Sequence, residues 1–149
     1  MANEPVVHIV DDDAAIRDSL AFLLDTASVV SKTYESAAAL LARAPNLEPG
    51  CIVTDVRMPD MNGLEMVRRL AEIGVRHPVI VMTGHADVPL AIEAVRAGVK
   101  DFIEKPFDDD ALLASIRAAI AGQAQAAEQA GRDTELRERL ASLSSRERQ

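Results

Sequence analysis

Short apolar, β-branched runs alternate with longer segments of helical periodicity over residues 1–121, and this alternation limits the fold more than any other feature. Strands that alternate with helices are typical of a parallel sheet covered by helices on both faces. Four of the five predicted strands are largely apolar, as such burial requires. The predicted strands are residues 6–10, 28–33, 51–55, 79–82 and 99–103. The sequence therefore predicts an α/β fold with a doubly wound, five-stranded parallel sheet.

The segments between these runs carry apolar residues three and four positions apart, the spacing of one helix face. Four such segments cover residues 16–24, 64–70, 90–95 and 112–120. A further helix is predicted from Ser36, a favourable N-terminal cap, to Ala44, where Pro45 ends it. Each predicted strand is thus followed by a helix.

Length and charge exclude several classes of protein. The 149 residues suffice for one domain with a core, and not for a large multidomain enzyme. The net charge of −8 lies wholly in residues 1–121, with 19 acidic and 11 basic residues, so this chain alone is not expected to bind nucleic acid. No run of 18 apolar residues and no leader pattern is present. We therefore expect a cytoplasmic protein with no membrane partner.

Residues 122–149 differ from the rest, because their five acidic and five basic residues cancel. Leu136, Leu140 and Leu143 recur at spacings of four and three, which predicts a helical linker over 122–143. A solvated helix and a short dimeric coiled coil both fit one heptad of leucines. Residues 144–149 resemble the start of another helix.

Polar side chains follow four of the predicted strands. Asp11, Asp12 and Asp13 end the first, Asp55 the third, Thr83 the fourth and Lys105 the fifth. The carboxyl ends of parallel strands meet at one edge of a sheet, where ligands of this fold class bind. Converging carboxylates repel each other, so a cation is expected between them, and oxygen ligands with few protein groups favour Mg²⁺.

A hydroxyl, an ammonium and a metal around one carboxylate are the groups that phosphoryl transfer needs. Asp55 would then be the nucleophile, with Thr83 and Lys105 assisting. The acidic triplet alone would also fit a plain helix N-terminus, where carboxylates cap backbone N–H groups. Asp13 is the triplet member for which we expect that capping role.

The segments HIVDDD, VTDVRMPDMNG, VMTGHAD and DFIEKPF resemble the receiver domain of bacterial two-component response regulators, in particular the FixJ-type branch. The resemblance covers residues 5–121. It implies a flavodoxin-like, CheY-like sheet with strand order 2-1-3-4-5. It also implies a receiver domain over 1–121.

The resemblance implies a role for each motif residue. Asp55 is similar to the phosphoacceptor, and Asp12 and Asp11 to the acidic pair that holds Mg²⁺, with Asp11 acting partly through water. The backbone carbonyl of Arg57 would supply a further ligand. Lys105 is similar to the lysine that pairs with a phosphoryl oxygen, and the bond from Lys105 to Pro106 resembles the family's cis peptide.

Thr83 and Phe102 resemble the switch pair, in which the hydroxyl moves to the phosphoryl group and the ring fills the vacated space. Phe102 has no hydroxyl, so its state would be read through packing. A receiver homodimer is expected on phosphorylation, with Ile92, Val95 and Arg96 facing the second copy.

The expected function is a response regulator that takes a phosphoryl group from a sensor histidine kinase and slowly hydrolyses it, rather than an enzyme. Residues 141–149 resemble the opening of a LuxR-like DNA-binding domain, through which alone DNA would be bound. Two alternatives stay open at this point. One is an aspartyl-phosphate phosphatase of haloacid dehalogenase type, and the other is a receiver-like module that is never phosphorylated.

Overall fold

The computed structural model describes residues 4–84 and 87–123, so the predicted linker beyond residue 123 and residues 144–149 lie outside the described part. Strands and helices alternate along the chain, as the sequence predicts. The strands are β1 (Val6–Val10), β2 (Val30–Tyr34), β3 (Gly50–Asp55), β4 (Val79–Thr83) and β5 (Asp101–Glu104). The helices are α1 (Ala14–Thr26), α2 (Ala37–Arg43), α3 (Gly63–Glu72), α4 (Val88–Arg96) and α5, described over 109–123.

All strand pairs are parallel and the order is β2-β1-β3-β4-β5, which confirms the expected doubly wound fold. Successive residues of a strand point to opposite faces, so the sheet has two apolar cores. Val7 and Ile9 of β1 belong to the core that α1 and α5 cover. Val10 belongs to the core that α2, α3 and α4 cover.

Two predicted strands begin too early, at residues 28 and 99. The backbone N–H of Val29 donates to the carbonyl of Leu24, and that of Val99 donates to Ala94, each five residues earlier. These residues satisfy carbonyl groups at the end of a helix, so the strands start later. Val99 is apolar because it is buried at the end of α4, and it does not pair with a neighbouring strand.

The start of β3 admits only glycine. Gly50 has a φ of +150°, and a Cβ atom there would lie 1.8 Å from the carbonyl oxygen of Val6. Val6 donates its own N–H to the carbonyl of Pro49. The close approach of β1 and β3 therefore depends on Gly50.

No helix within the described ranges is long and apolar enough to cross a membrane.

Candidate functional site

Three carboxylates meet at the carboxyl edge of the sheet. One carboxylate oxygen from each of Asp11, Asp12 and Asp55 lies within 4.8 Å of the others. Asp11 and Asp12 follow β1, and Asp55 ends the neighbouring β3, so the parallel pairing brings them together. An all-oxygen donor set of this kind suits a hard divalent cation such as Mg²⁺.

Asp11 gives the clearest sign that the cluster is suited to hold a cation. Its side chain is fully buried. Oδ1 accepts the backbone N–H of Asp13 at 2.9 Å, whereas Oδ2 has no hydrogen-bond partner among the described residues. Burial and then the nearby charge of Asp55 raise the pKa of Asp11, against the opposing Asp13 hydrogen bond. A buried, unpartnered carboxylate oxygen is costly, and a bound cation would remove that cost.

Asp13 has a separate task, as expected. Its carboxylate accepts the backbone N–H of Ala15 at 2.9 Å and caps α1. Arg17, which the sequence analysis did not single out, donates from Nη1 to the backbone carbonyl of Asp11 at 2.7 Å. The first turn of α1 therefore fixes the loop that carries the acidic pair.

Lys105 lies at the same edge. Its Nζ is 3.1 Å from Asp55 Oδ2 and 3.9 Å from Asp11 Oδ2, the second being too long for a hydrogen bond. The backbone N–H of Lys105 donates to the carbonyl of Thr83 at 2.7 Å, which ties the end of β5 to β4. The peptide bond from Lys105 to Pro106 is cis, as the resemblance implies.

Thr83 and Phe102 lie on adjacent strands. Thr83 is fully buried, and its hydroxyl donates to the carbonyl of Gly84 at 3.1 Å. Phe102 is half-buried and packs against the core under α2, α3 and α4. The ring therefore has apolar contacts on one side and partial solvent exposure on the other.

The loop after β3 is held from several directions. The backbone N–H of Arg57 donates to Asp55 Oδ1 at 3.1 Å, and Asp60 Oδ2 accepts the N–H of Ala38 at the start of α2. Partial burial opposes ionisation of Asp60, but bonds from backbone N–H groups outweigh it and lower its pKa. A Cβ atom on Gly63 would lie 3.0 Å from the carbonyl oxygen of Asp55, so α3 starts directly against the loop.

An ion pair links this loop to α4. Nε and Nη2 of Arg57 lie 2.9 and 2.7 Å from Oδ1 of Asp87. Sequence reasoning missed the pair because 30 positions separate the two residues and neither shows a local pattern. On α4, Ile92, Val95 and Arg96 are all exposed, and their spacing of three and four residues places them on one face of the helix.

Comparison with known proteins agrees with this geometry. Residues 7–117 match the response regulator receiver domain family. The chain is 50% identical to the transcriptional regulatory protein FixJ of Azorhizobium caulinodans over 143 residues, which are 96% of this chain and 68% of that protein. It is 46% identical to FixJ of Bradyrhizobium diazoefficiens over 149 residues, covering all of this chain and 73% of that protein.

Solved structures give the same result. The crystal structure of FixJ-N aligns with a TM-score of 0.76 at 48% identity, covering 80% of this chain and 95% of that one. Full-length FixJ from B. japonicum aligns with a TM-score of 0.81 at 43% identity, covering 95% of this chain and 70% of that one. The chain therefore belongs to the response regulator receiver domain family of two-component systems, and within that family it is similar to FixJ.

Proposed function

We propose that the chain accepts a phosphoryl group on Asp55 from a sensor histidine kinase in a Mg²⁺-dependent reaction. The observation that carries this proposal is the environment of the Asp55 carboxylate. The ammonium group of Lys105 contacts one oxygen and the N–H of Arg57 the other, while Asp11 and Asp12 each place a carboxylate oxygen within 4.8 Å of an Asp55 oxygen. A carboxylate between a lysine ammonium group and a backbone N–H donor is suited to carry and stabilise a phosphoryl group.

In the proposed reaction, a carboxylate oxygen of Asp55 forms a bond to the phosphorus of a phosphohistidine. The phosphorus–nitrogen bond breaks, and its electron pair stays on the departing imidazole. Hydrolysis follows when a water oxygen attacks the phosphorus and the bond from phosphorus to the Asp55 oxygen breaks. The electron pair of that bond stays on the restored carboxylate, and the phosphoryl group leaves with the water oxygen as inorganic phosphate. Lys105 and the hydroxyl of Thr83 would stabilise the phosphoryl oxygens during both steps.

Asp11, Asp12, Asp55 and the carbonyl of Arg57 would hold Mg²⁺, which when bound supplies positive charge for the phosphoryl oxygens. The unpartnered Oδ2 of Asp11 supports this assignment. Asp13 is not included, because its carboxylate is used to cap α1.

The proposed output runs through α4 and β5. Thr83 and Phe102 would change position on phosphorylation, and Ile92, Val95 and Arg96 would contact a second receiver. The receiver domain over 1–121 would then act through a linker, 122–143, on a DNA-binding domain that starts near 144–149. DNA would be bound only by that further domain.

Acetyl phosphate with Mg²⁺ tests the proposal on the chain as it exists. Intact-mass measurement should detect one added phosphoryl group, and Asp55→Asn should abolish the addition. Asp18→Asn, which changes an exposed acid on α1, should be labelled like the unaltered chain. Undiminished labelling of Asp55→Asn would overturn the assignment.

The haloacid dehalogenase-type alternative depends on the spacing of Asp11 and Asp13, which resembles the nucleophile motif of that family. Asp11 is fully buried, and Asp13 is bound to the backbone of Ala15. Neither carboxylate is arranged for that chemistry.

Labelling of Asp55 with acetyl phosphate would also exclude the other alternative, a receiver-like module that is never phosphorylated.

A further inference from the structure

Asp87 lies at the N-terminus of α4, but its carboxylate does not cap that helix. At the start of each of the first three helices, the side chain of the preceding residue accepts a backbone N–H of the first turn. These capping residues are Asp13 for α1, Ser36 for α2 and Asn62 for α3. Asp87 occupies the equivalent position of α4 and makes no such bond. Carboxylates are among the favoured caps at this position, so the missing bond requires another partner for Asp87.

That partner is Arg57, which lies two residues after the proposed phosphoacceptor. The side chain of Asp87 is 18% exposed and that of Arg57 71% exposed. Their hydrogen bonds raise the pKa of Arg57 and lower that of Asp87, and the charge of Asp55 adds to the effect on Arg57. The guanidinium thus binds Asp87, while the backbone N–H of the same residue donates to Asp55 Oδ1 at 3.1 Å, so Arg57 lies between the two carboxylates.

Phosphorylation would change the balance between these two anions. Phosphorylation replaces the −1 charge of the Asp55 carboxylate by a group with a charge of about −1.5 to −2 and three strong acceptor oxygens, and arginine binds phosphate in a two-pronged geometry. At its Arg57 end the pair is open to solvent, where ion pairs are weak and readily exchanged, although the Asp87 side chain is only 18% exposed.

We propose that Asp87 alternates between two partners: Arg57 in the unphosphorylated chain, and the first turn of α4 once phosphorylation of Asp55 draws Arg57 away. This inference rests on the proposed function. In the usual capping geometry, only one backbone N–H of α4 can donate a hydrogen bond to the released Asp87 carboxylate. Pro89 is the second residue of α4 and has no N–H, so the cap must accept from Leu90, the third.

The exchange would alter the start of the helix that carries the proposed dimer surface. Ile92 and Val95 lie two and five residues beyond Leu90 and are 41% and 40% exposed. A newly capped first turn is more rigid, and a rigid surface loses less conformational entropy on association. The Arg57–Asp87 pair therefore acts against dimerisation in the unphosphorylated chain.

Two substitutions of Asp87 separate the ion pair from the cap. Asp87→Asn loses the charge that holds Arg57 but keeps a side chain that can cap, whereas Asp87→Ala loses both. In the unphosphorylated state, Asp87→Asn should raise the dimer association constant measured by sedimentation about two- to fivefold. Asp87→Ala should not raise it. Glu65→Gln is the control, because Glu65 pairs with Arg69 at 3.2 Å in an exposed ion pair on α3.

Hydrogen exchange of the Leu90 amide reports the cap directly. Acetyl phosphate with Mg²⁺ should slow exchange at Leu90 in the unaltered chain and in Glu65→Gln. Unphosphorylated Asp87→Asn should already show slow exchange, and Asp87→Ala should exchange fast in both states.

The outcomes separate this inference from the proposed function. If the unaltered chain takes up no phosphoryl group, the proposed function fails and the inference fails with it. If the chain is labelled on Asp55 but exchange at Leu90 does not change, or if Asp87→Asn and Asp87→Ala dimerise alike, the inference is overturned and the proposed function stands.

Discussion

Three adjacent aspartates after β1 have three different environments. Asp11 is buried with one unpartnered oxygen, Asp12 is exposed, and Asp13 caps α1. The differences follow from the point at which the chain leaves the sheet and turns into the helix. The same residue type therefore serves as an interior ligand, an outer ligand and a helix cap in the assignment proposed above.

A second buried titratable residue, His8, lies on β1. Its Nε2 is 3.0 Å from the carbonyl oxygen of Glu48, which His77 Nε2 also contacts at 2.8 Å, and its Nδ1 is 2.9 Å from the hydroxyl of Tyr34. A carbonyl oxygen only accepts, so Nε2 of His8 carries a proton and Nδ1 accepts from Tyr34. His8 is therefore a hydrogen-bonded interior residue.

The stability of the fold should depend on pH through His8. Burial first, and the nearby His77, lower the pKa of His8 below its ordinary 6.5, although the bond to Glu48 opposes this. As the pH falls below 6.5, the unfolded chain takes up a proton that the folded chain does not, so the free energy of unfolding decreases. His8→Gln removes this group, and its urea-unfolding free energy should decline less steeply with acid than that of the unaltered chain.

His77→Gln provides the comparison, since it removes the neighbouring ring and leaves His8 in place. The charged groups around His8 also include Lys32 and Glu48, which both variants retain. If the curves of unfolding free energy against pH run parallel for His8→Gln and the unaltered chain, His8 is not the source of the pH dependence.

At the scale of single elements, the start of β3 depends on one glycine. Gly50→Ala would place a Cβ atom 1.8 Å from a backbone oxygen of Val6 and requires a φ that alanine rarely adopts. We expect this substitution to lower the free energy of unfolding by about 3 kcal/mol or more. Gly122→Ala is the control, because nothing lies within 4 Å of its Cβ position in α5, and it should be neutral or stabilising by about 0.5–1 kcal/mol. Equal unfolding midpoints for the two variants would refute the argument.

The exposed face of α4 carries the proposed dimer contact. Ile92→Asp should prevent the increase in dimer fraction on phosphorylation, because a carboxylate would be desolvated in the interface. Phosphorylation itself should be unaffected, since Ile92 lies on the exposed side of α4. Ile73→Asp, at an exposed apolar position next to α3, should leave dimerisation unchanged. Sedimentation of phosphorylated samples measures the dimer fraction. If phosphorylated Ile92→Asp still forms the dimer, this face of α4 is not the dimer contact.

At the scale of the whole molecule, the acidic cluster exists only when β1 and β3 are paired. Mg²⁺ should therefore bind the folded chain and not the unfolded one, and stabilise it by about 2.7 kcal/mol at 100 times its dissociation constant. Thermal unfolding with Mg²⁺ or with a chelator measures this effect. Asp12→Ala should lose most of the Mg²⁺-dependent stabilisation, whereas Asp13→Ala should lower stability through the lost cap and keep the response to Mg²⁺. Equal Mg²⁺-dependent stabilisation in the two variants would contradict the assignment of Asp12, and not Asp13, to the Mg²⁺ site.

The sequence by itself determined the alternation of strands and helices, because the apolar period of each segment is a local property. It also determined that Asp11, Asp12, Asp55 and Lys105 would meet, because the carboxyl ends of parallel strands share one edge. The strand order came from resemblance to a known family and was confirmed by the observed sheet.

Only the tertiary structure decided how the surrounding loops are held. Arg57 pairs with Asp87 across 30 positions, Asp60 binds the start of α2 across 22, and the side chain of Gln123 accepts the N–H of Gly50 across 73. These contacts join single polar residues whose partners are set by how helices pack on the sheet. Local periodicity records which face of an element is buried, but it does not record which distant side chain lies opposite a given atom.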